Sequence, residues 1–367
     1  MRMVTPSFWR AAVWTSFLVV CCFTKGAEGT GDKSPPYLLQ PGQFPTQDLS
    51  HAISGELIQL DHLNRTGQLR PDRRNDQRTD DYDRPLLFTL LPYGSMRYHG
   101  APAELRDIPL GTHLHGKFYW DPKSGKDGKG AFTQAFLLED DFSFDESSKC
   151  EWRLDDVKLD RNTISVTRLS KAENKTEARP VIYKITPATR VWKGQGFGTL
   201  KDLATNQSLL INLTLCTLKG PGNATDIWID DESKQIAAEH QIAVHRVHQK
   251  ERGLAGWIDA VDNEKGLVTA TLFAGFDPSL KDDFKIKGRV NALVSETSLR
   301  SYDQINDRAP SELVAISPVP VLPGSSGFQL IFKPDNLLEG FRPHNIIRVM
   351  SGTWPLDDLP WEERLWK

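Results

Sequence analysis

Leu209, Ile211, Leu213 and Leu215 alternate with Ser208, Asn212 and Thr214, the two-residue period of a strand with one buried face; Leu210 breaks it. The same period recurs along most of the chain. Ile53, Leu57, Ile58 and Leu60 mark a first strand beginning at His51, and Asn64–Gly67 gives a turn. Phe88–Leu91 predicts a strand stopped at Pro92, and Leu114, Gly116 and Phe118 form the inward set of another. Glu151–Leu154, Ile164–Leu169 and a strand opening at Val181 follow. One stretch breaks to a period of 3.6. Ile236, His240, Val244 and Val247 predict a helix over 231–252, capped by Asp230 or Asp231 and stopped by Gly253. Beyond it, Trp257–Val261 and Leu267–Phe273 flank a hairpin turn, with later strands at Arg289–Val294, Leu313–Ile316, Phe328–Phe332 and Ile346–Val349.

Two of these stretches are copies of each other. Tyr183–Pro187 answers Phe88–Pro92, and Arg190–Gly194 answers Met96–Gly100. Leu200-Lys201-Asp202-Leu203 answers Leu105-Arg106-Asp107-Ile108, with Asn206 where Gly111 stands. Gly and Asn both tolerate positive φ, which a tight turn into a strand needs. Asn336–Gly340 echoes the turn faintly, so the third β region is read as a degenerate or different barrel. Short strands with turn-rich gaps fit closed barrels, since closure removes exposed edges. The expected fold is mainly β: two or three small OB-like antiparallel β-barrel modules in tandem, with one long amphipathic helix between the second and third.

The expected division is a signal peptide over 1–26, a flexible Pro/Gly/Ser-rich linker over 27–50, a first barrel with an acidic connector over 51–149 and a second barrel over 150–225. The helix over 226–253, a third β module over 254–350 and a Trp-rich tail over 351–367 complete it. The leader has Arg2 and Arg10 before the uncharged run Ala11–Phe23, 13 residues and too short to span a bilayer. Export to the periplasm, the cell envelope or the medium follows, with no membrane span after signal removal. It also makes a disulfide between Cys150 and Cys216 possible, two unpaired thiols being the alternative. The net charge of -3, from 45 basic and 48 acidic side chains, argues against a nucleic-acid partner. Mixed signs over 68–84 read as a solvated loop, and Glu139, Asp140, Asp141, Asp145 and Glu146 as a solvated connector.

The repeated Leu-[Arg/Lys]-Asp-[Ile/Leu] turn resembles that of OB-like barrel modules. Together with Leu91-Pro92-Tyr93-Gly94, Tyr98–Ala103 and Trp228-Ile229-Asp230, it resembles an uncharacterised family of secreted bacterial proteins built from such modules, over most of residues 51–350. The resemblance implies barrels. It brings no activity and no catalytic residues.

Candidate chemistry is sparse. His113 and His115 share a strand face and, with His99, offer ligands for Zn²⁺ or Cu²⁺. The repeat places His113, His115 and Lys117 on the outward face, where a solvated surface is the competing expectation. His245 and His248 share a helix face without a His-Glu-x-x-His motif, and Gly324–Gly327 lacks the spacing of a nucleophile elbow. No cofactor is predicted beyond a possible divalent metal. The leading expectation is a non-enzymatic exported protein that binds a protein or cell-envelope component. A metal-dependent protein, or a hydrolase with carboxylates assembled between modules, are the alternatives.

Overall fold

In the computed structural model the described residues are 38–46, 48–73, 84–124, 130–170, 175–176, 179–214, 223–294, 308–356 and 360–363. The signal segment, Cys216 and Trp366 lie outside them. So does residue 215, the last of the alternating leucines.

Three small closed β-barrels make up the described chain. The first is built from β1 (His51–Asp61), β2 (Thr66–Pro71), β3 (Leu86–Tyr98), β5 (His113–Asp121) and β6 (Ala131–Asp140), with β4 (Ala101–Ala103) beside β3. Neighbours run β1-β2-β3-β6-β5 and back to β1, antiparallel except for the parallel pair β3–β6. The second repeats that order with β7 (Cys150–Lys158), β8 (Thr163–Ser170), β10 (Val181–Lys193), β12 (Ser208–Thr214) and β13 (Asn223–Trp228). Its parallel pair is β10–β13, and β9 (Lys175–Thr176) and β11 (Gly196–Phe197) are short additions. This order, first-second-third-fifth-fourth, is OB-like.

The duplicated turn is the same object twice. Leu105–Asp107 and Leu200–Asp202 are single 3₁₀ turns, each with a reciprocal capping box, from Glu104 and Asp107 and from Thr199 and Asp202. Gly111 has φ 87° and Asn206 φ 66°. In the first barrel Gly111 N–H donates to the Leu57 carbonyl at 2.7 Å and Leu57 N–H to Thr112 at 2.9 Å. In the second, Asn206 and Leu154 with Gln207 reproduce those bonds at 2.7 and 2.9 Å. Leu57 and Leu154 are both fully buried, so each clip fastens its turn to a core position.

The third barrel is different. It closes through β14 (Leu254–Asp262), β15 (Leu267–Phe273), β18 (Ser325–Pro334), β17 (Arg308–Pro318), β16 (Arg289–Val294) and β19 (Ile346–Ser351), with every pairing antiparallel.

Several local expectations are corrected. The start of the charged run over 68–84 belongs to β2: Leu69 is fully buried while Arg70 on the other face pairs with Glu56. Alternation too short to stand out among charges hid it. β3 runs through Pro92, because the register against β6 slips between Leu90 and Ser95 and asks no regular ladder bond of the proline. The second barrel's fifth strand, β13, straddles the expected boundary at 225/226 between that barrel and the helix segment. The helix itself, α2 (Asp231–Arg252), has its expected bounds, with Asp230 accepting from Ser233 N–H at 2.7 Å.

The face that α2 buries is not the apolar stripe. Val247 is 59% exposed, whereas Ser233, Gln241, His245 and Arg252 are buried. The helix lies over the outer walls of the barrels and is held by polar bonds. Gln241 donates to the Pro102 carbonyl and Asp107, and His245 meets the Gly275 carbonyl at 3.1 Å.

Two residues of the expected linker pack onto the barrels. Leu39 and Phe44 join Leu91, Tyr93, Tyr119, Trp257 and Phe273 in an apolar cluster between the first and third barrels. Gly324, at φ 87°, lets the Tyr93 ring lie against its backbone, where a Cβ would stand 2.3 Å from Cδ2. In the tail, Trp354 is buried beside Phe284 and donates to Asp283 at 2.7 Å. No helix among the described residues is long and apolar enough to cross a membrane.

Candidate metal centre

The site forms where the outer face of β5 meets a short helix, α1 (Asp141–Ser147), and the edge of the second barrel. β5 puts Leu114 and Phe118 into the core, both fully buried, which turns His113, His115 and Lys117 outward. Outward is not solvated here. β6 pairs with β5 so that Asp140 lies opposite Leu114, and the chain then turns into α1 with Asp141 beside the histidines. Asp140 caps that helix, accepting from Ser143 N–H at 3.0 Å.

The three groups converge on one oxygen. Asp141 Oδ1 lies 2.7 Å from His113 Nδ1 and 3.0 Å from His115 Nε2, and its Oδ2 accepts from Leu213 N–H of the second barrel at 2.8 Å. The candidate ligand atoms of His113, His115 and Asp141 all lie within 4.8 Å of one another. Each imidazole has its far nitrogen engaged. His113 Nε2 is 3.2 Å from both carboxylate oxygens of Asp72, and His115 Nδ1 is 3.0 Å from Ser54 Oγ. Phe144 stacks on His115 at 3.8 Å and fixes its ring plane.

Electrostatics favour a positive charge at the centre. Burial opposes ionisation of His113, which is 6% exposed, but Asp141 and Asp72 outweigh it and raise its pKa to about 10. Burial likewise opposes the charge on Asp141, and His113 and His115 hold its carboxyl well below the usual range.

Glu139, Asp140 and Asp145 of the acidic run are buried too, which corrects their reading as a solvated connector, whereas Glu146 is exposed. Asp140 accepts from Asn212 Nδ2 at 2.8 Å and from His99 N–H at 3.1 Å, while Asn212 Oδ1 accepts from Phe142 N–H at 2.8 Å. Asp145 accepts from Trp152 Nε1 and Arg168 Nη2, each at 2.7 Å. These acids join the first two barrels. The carboxylates expected for a hydrolase between modules do gather here, but Asp140, Asp141 and Asp145 are engaged as acceptors.

His99 is not part of the cluster. With φ 53°, it turns the chain between β3 and β4, and its ring stacks on Tyr98 at 3.7 Å and meets the edge of Trp228 at 5.0 Å. Burial lowers its pKa. It lines the aromatic part of the same seam, with Phe142 and Leu210. Leu210 breaks the alternation of β12 because its outward side is covered too.

Asp141, Asp72 and Ser54 escaped the sequence reading. The signal for Asp141 was the β5–β6 register, which the loop between those strands does not reveal. Cys150 opens β7, but its expected partner lies outside the described residues, so the disulfide is untouched by the geometry. No family model, no curated protein and no solved structure matches this chain.

Proposed function

We propose that the protein is an exported, non-catalytic binding protein of the cell envelope, whose first two barrels are locked together by one divalent first-row metal ion, Zn²⁺ foremost. His113 Nδ1, His115 Nε2 and Asp141 Oδ1 are its ligands. The carrying observation is the pairing of three convergent ligand atoms with outer partners for both imidazoles. Ligating histidines characteristically give their second nitrogen to a carboxylate or a hydroxyl, as His113 gives to Asp72 and His115 to Ser54.

The fit is close. Metal–ligand bonds of about 2.0–2.2 Å in a tetrahedral site set ligand atoms roughly 3.3 Å apart. Asp141 Oδ1, at 2.7 and 3.0 Å from the two imidazole nitrogens, moves off by a few tenths of an ångström to admit an ion, and the two imidazoles, within 4.8 Å of each other, adjust around it. The ion replaces the proton that otherwise screens His113 from Asp141, so binding releases a proton. Asp72, whose side chain is 40% exposed, leaves a path for the metal. A largely buried set tied to the second barrel through Leu213 suits a structural ion and leaves recognition to other surfaces.

Chelator-treated protein titrated calorimetrically with Zn²⁺ is expected to take up one ion per chain, with proton release. His113→Ala with His115→Ala is expected to lose that uptake. Absence of stoichiometric metal in the wild type, or binding retained by the double variant, overturns the assignment.

A further inference from the structure

A second site lies on the outer wall of the first barrel. Leu60, Leu69, Phe88 and Leu90 pack into the core, which turns their strand neighbours Gln59, Asp61, Gln68, Leu87 and Thr89 outward. The strand register sets these in two rows. Asp61 pairs with Thr66 and Thr66 with Thr89, while Gln59 pairs with Gln68 and Gln68 with Leu87. With Asp121, Ser124 and Thr133 from the β5–β6 hairpin they line a cleft of about 330 Å³, within the range of small-molecule sites.

The lining is polar, and it includes no Lys, Arg or His side chain among the described residues. Gln68 Nε2 donates to Gln59 Oε1 at 2.6 Å, which leaves Gln59 Nε2 to donate and Gln68 Oε1 to accept. The hydroxyls of Thr66, Thr89 and Thr133 offer a donor and an acceptor each. The two carboxylates already serve local turns. Asp61 accepts from Asn64 N–H at 3.1 Å and Asn64 Nδ2 at 2.6 Å, and Asp121 from Lys123 N–H at 2.9 Å. Both keep lone pairs for a further donor. Leu87, 64% exposed, sets an apolar contact beside these groups.

The repeat supplies a contrast. At the matching positions of the second barrel the rows read Lys158–Thr163–Lys184 and Asp156–Ser165–Ile182. Two lysines stand where the first barrel has Asp61 and Thr89, and the amide pair is gone. The chemistry of the cleft therefore belongs to the first barrel and not to the shared fold.

We propose that this cleft binds a neutral polyhydroxyl ligand, the sugar units of an uncharged glycan. Gln59, Asp61, Gln68 and Thr89 take its hydroxyls, and Leu87 takes the C–H face of a ring. A sugar hydroxyl donates and accepts at once, which suits a lining that mixes amides, hydroxyls and carboxylates. An anionic ligand would set its charge against Asp61 and Asp121. The proposal rests on the reading of the protein as an envelope binding protein, whose ligand class it names, and not on the metal ion.

The test is calorimetric titration of the whole protein with cellotetraose, maltotetraose, mannotetraose and chitotetraose, with tetragalacturonate as the charged control. Saturable binding of at least one neutral sugar is expected, and tetragalacturonate about tenfold weaker than the best of them. Gln68→Ser with Thr89→Lys, the residues that the second barrel carries at those positions, is expected to weaken binding about tenfold. If that variant does not melt cooperatively, Gln68→Ser alone serves, with about a fivefold weakening. No binding of any of the four sugars, tetragalacturonate bound as well as they are, or binding that the variants leave unchanged overturns the proposal. Zn²⁺ uptake by the same preparation keeps the two readings apart: uptake without sugar binding overturns this one alone.

Discussion

Replacing Asp141 by alanine in metal-free protein removes three interactions at once. His113 and His115 lose the oxygen at 2.7 and 3.0 Å, and Leu213 N–H loses its acceptor at 2.8 Å. His113 keeps only Asp72, at 3.2 Å. Removing one partner of a buried ion pair costs about 3–5 kcal/mol, and leaving a buried N–H without an acceptor about 1–3 kcal/mol. The two terms share one network and do not add fully, so about 4 kcal/mol is the working figure. If that energy holds the seam closed, the Leu213 amide exchanges about a thousandfold faster in the variant. Hydrogen exchange read by mass spectrometry on a peptide covering 208–214 measures this, with β17 of the third barrel as the internal reference. Asp141→Asn keeps an acceptor for Leu213 while removing the charge, and is expected to recover part of the protection. A Leu213 rate within threefold of wild type in Asp141→Ala would refute the reasoning. It would assign the seam to the apolar contacts of Phe142, Leu210 and Trp228 instead.

Two further outcomes follow from the same geometry. Trp228 is 1% exposed, with Phe142 edge-on at 4.8 Å, so Trp228→Ala should cost about 3–5 kcal/mol in denaturant unfolding; a loss below about 1 kcal/mol contradicts the packing described. Burial, with Arg252, Arg106 and Arg348, depresses the folded pKa of His248 to about 2, so below about pH 6.5 the unfolded chain takes up a proton that the native chain refuses. Stability should fall as pH drops from 6.5 towards 2, by up to about 1.4 kcal/mol per pH unit from this group, and His248→Gln should flatten the slope of unfolding free energy against pH by about one proton. An unchanged slope would show that His248 titrates normally.

The duplicated turn was legible from residues alone. A capping box, a residue able to take positive φ and an alternating strand are local devices, and both copies fold as they read. The helix bounds were legible for the same reason: Asp230 and Gly253 act on their immediate neighbours. What the outer faces do was not legible. In a lone barrel, His113, His115, Asn212 and Leu210 would face water; here a second barrel and α1 cover them. The buried face of α2 is polar because it lies on barrel walls rather than in a core, which inverts the usual hydrophobic signal.

The sequence by itself determined the β period, the repeat, the turns and the long helix, because each is set by side chains within a few residues of one another. Only the tertiary structure decided that Asp141 joins His113 and His115, that His99 does not, and that Arg106, Arg252 and Arg348 come together around His248. Such sites are made by strand register and by barrel-on-barrel contact, across separations from 26 residues between His115 and Asp141 to 142 between Arg106 and His248. No local pattern encodes contacts of that range, since they exist only once the separate barrels have closed and docked.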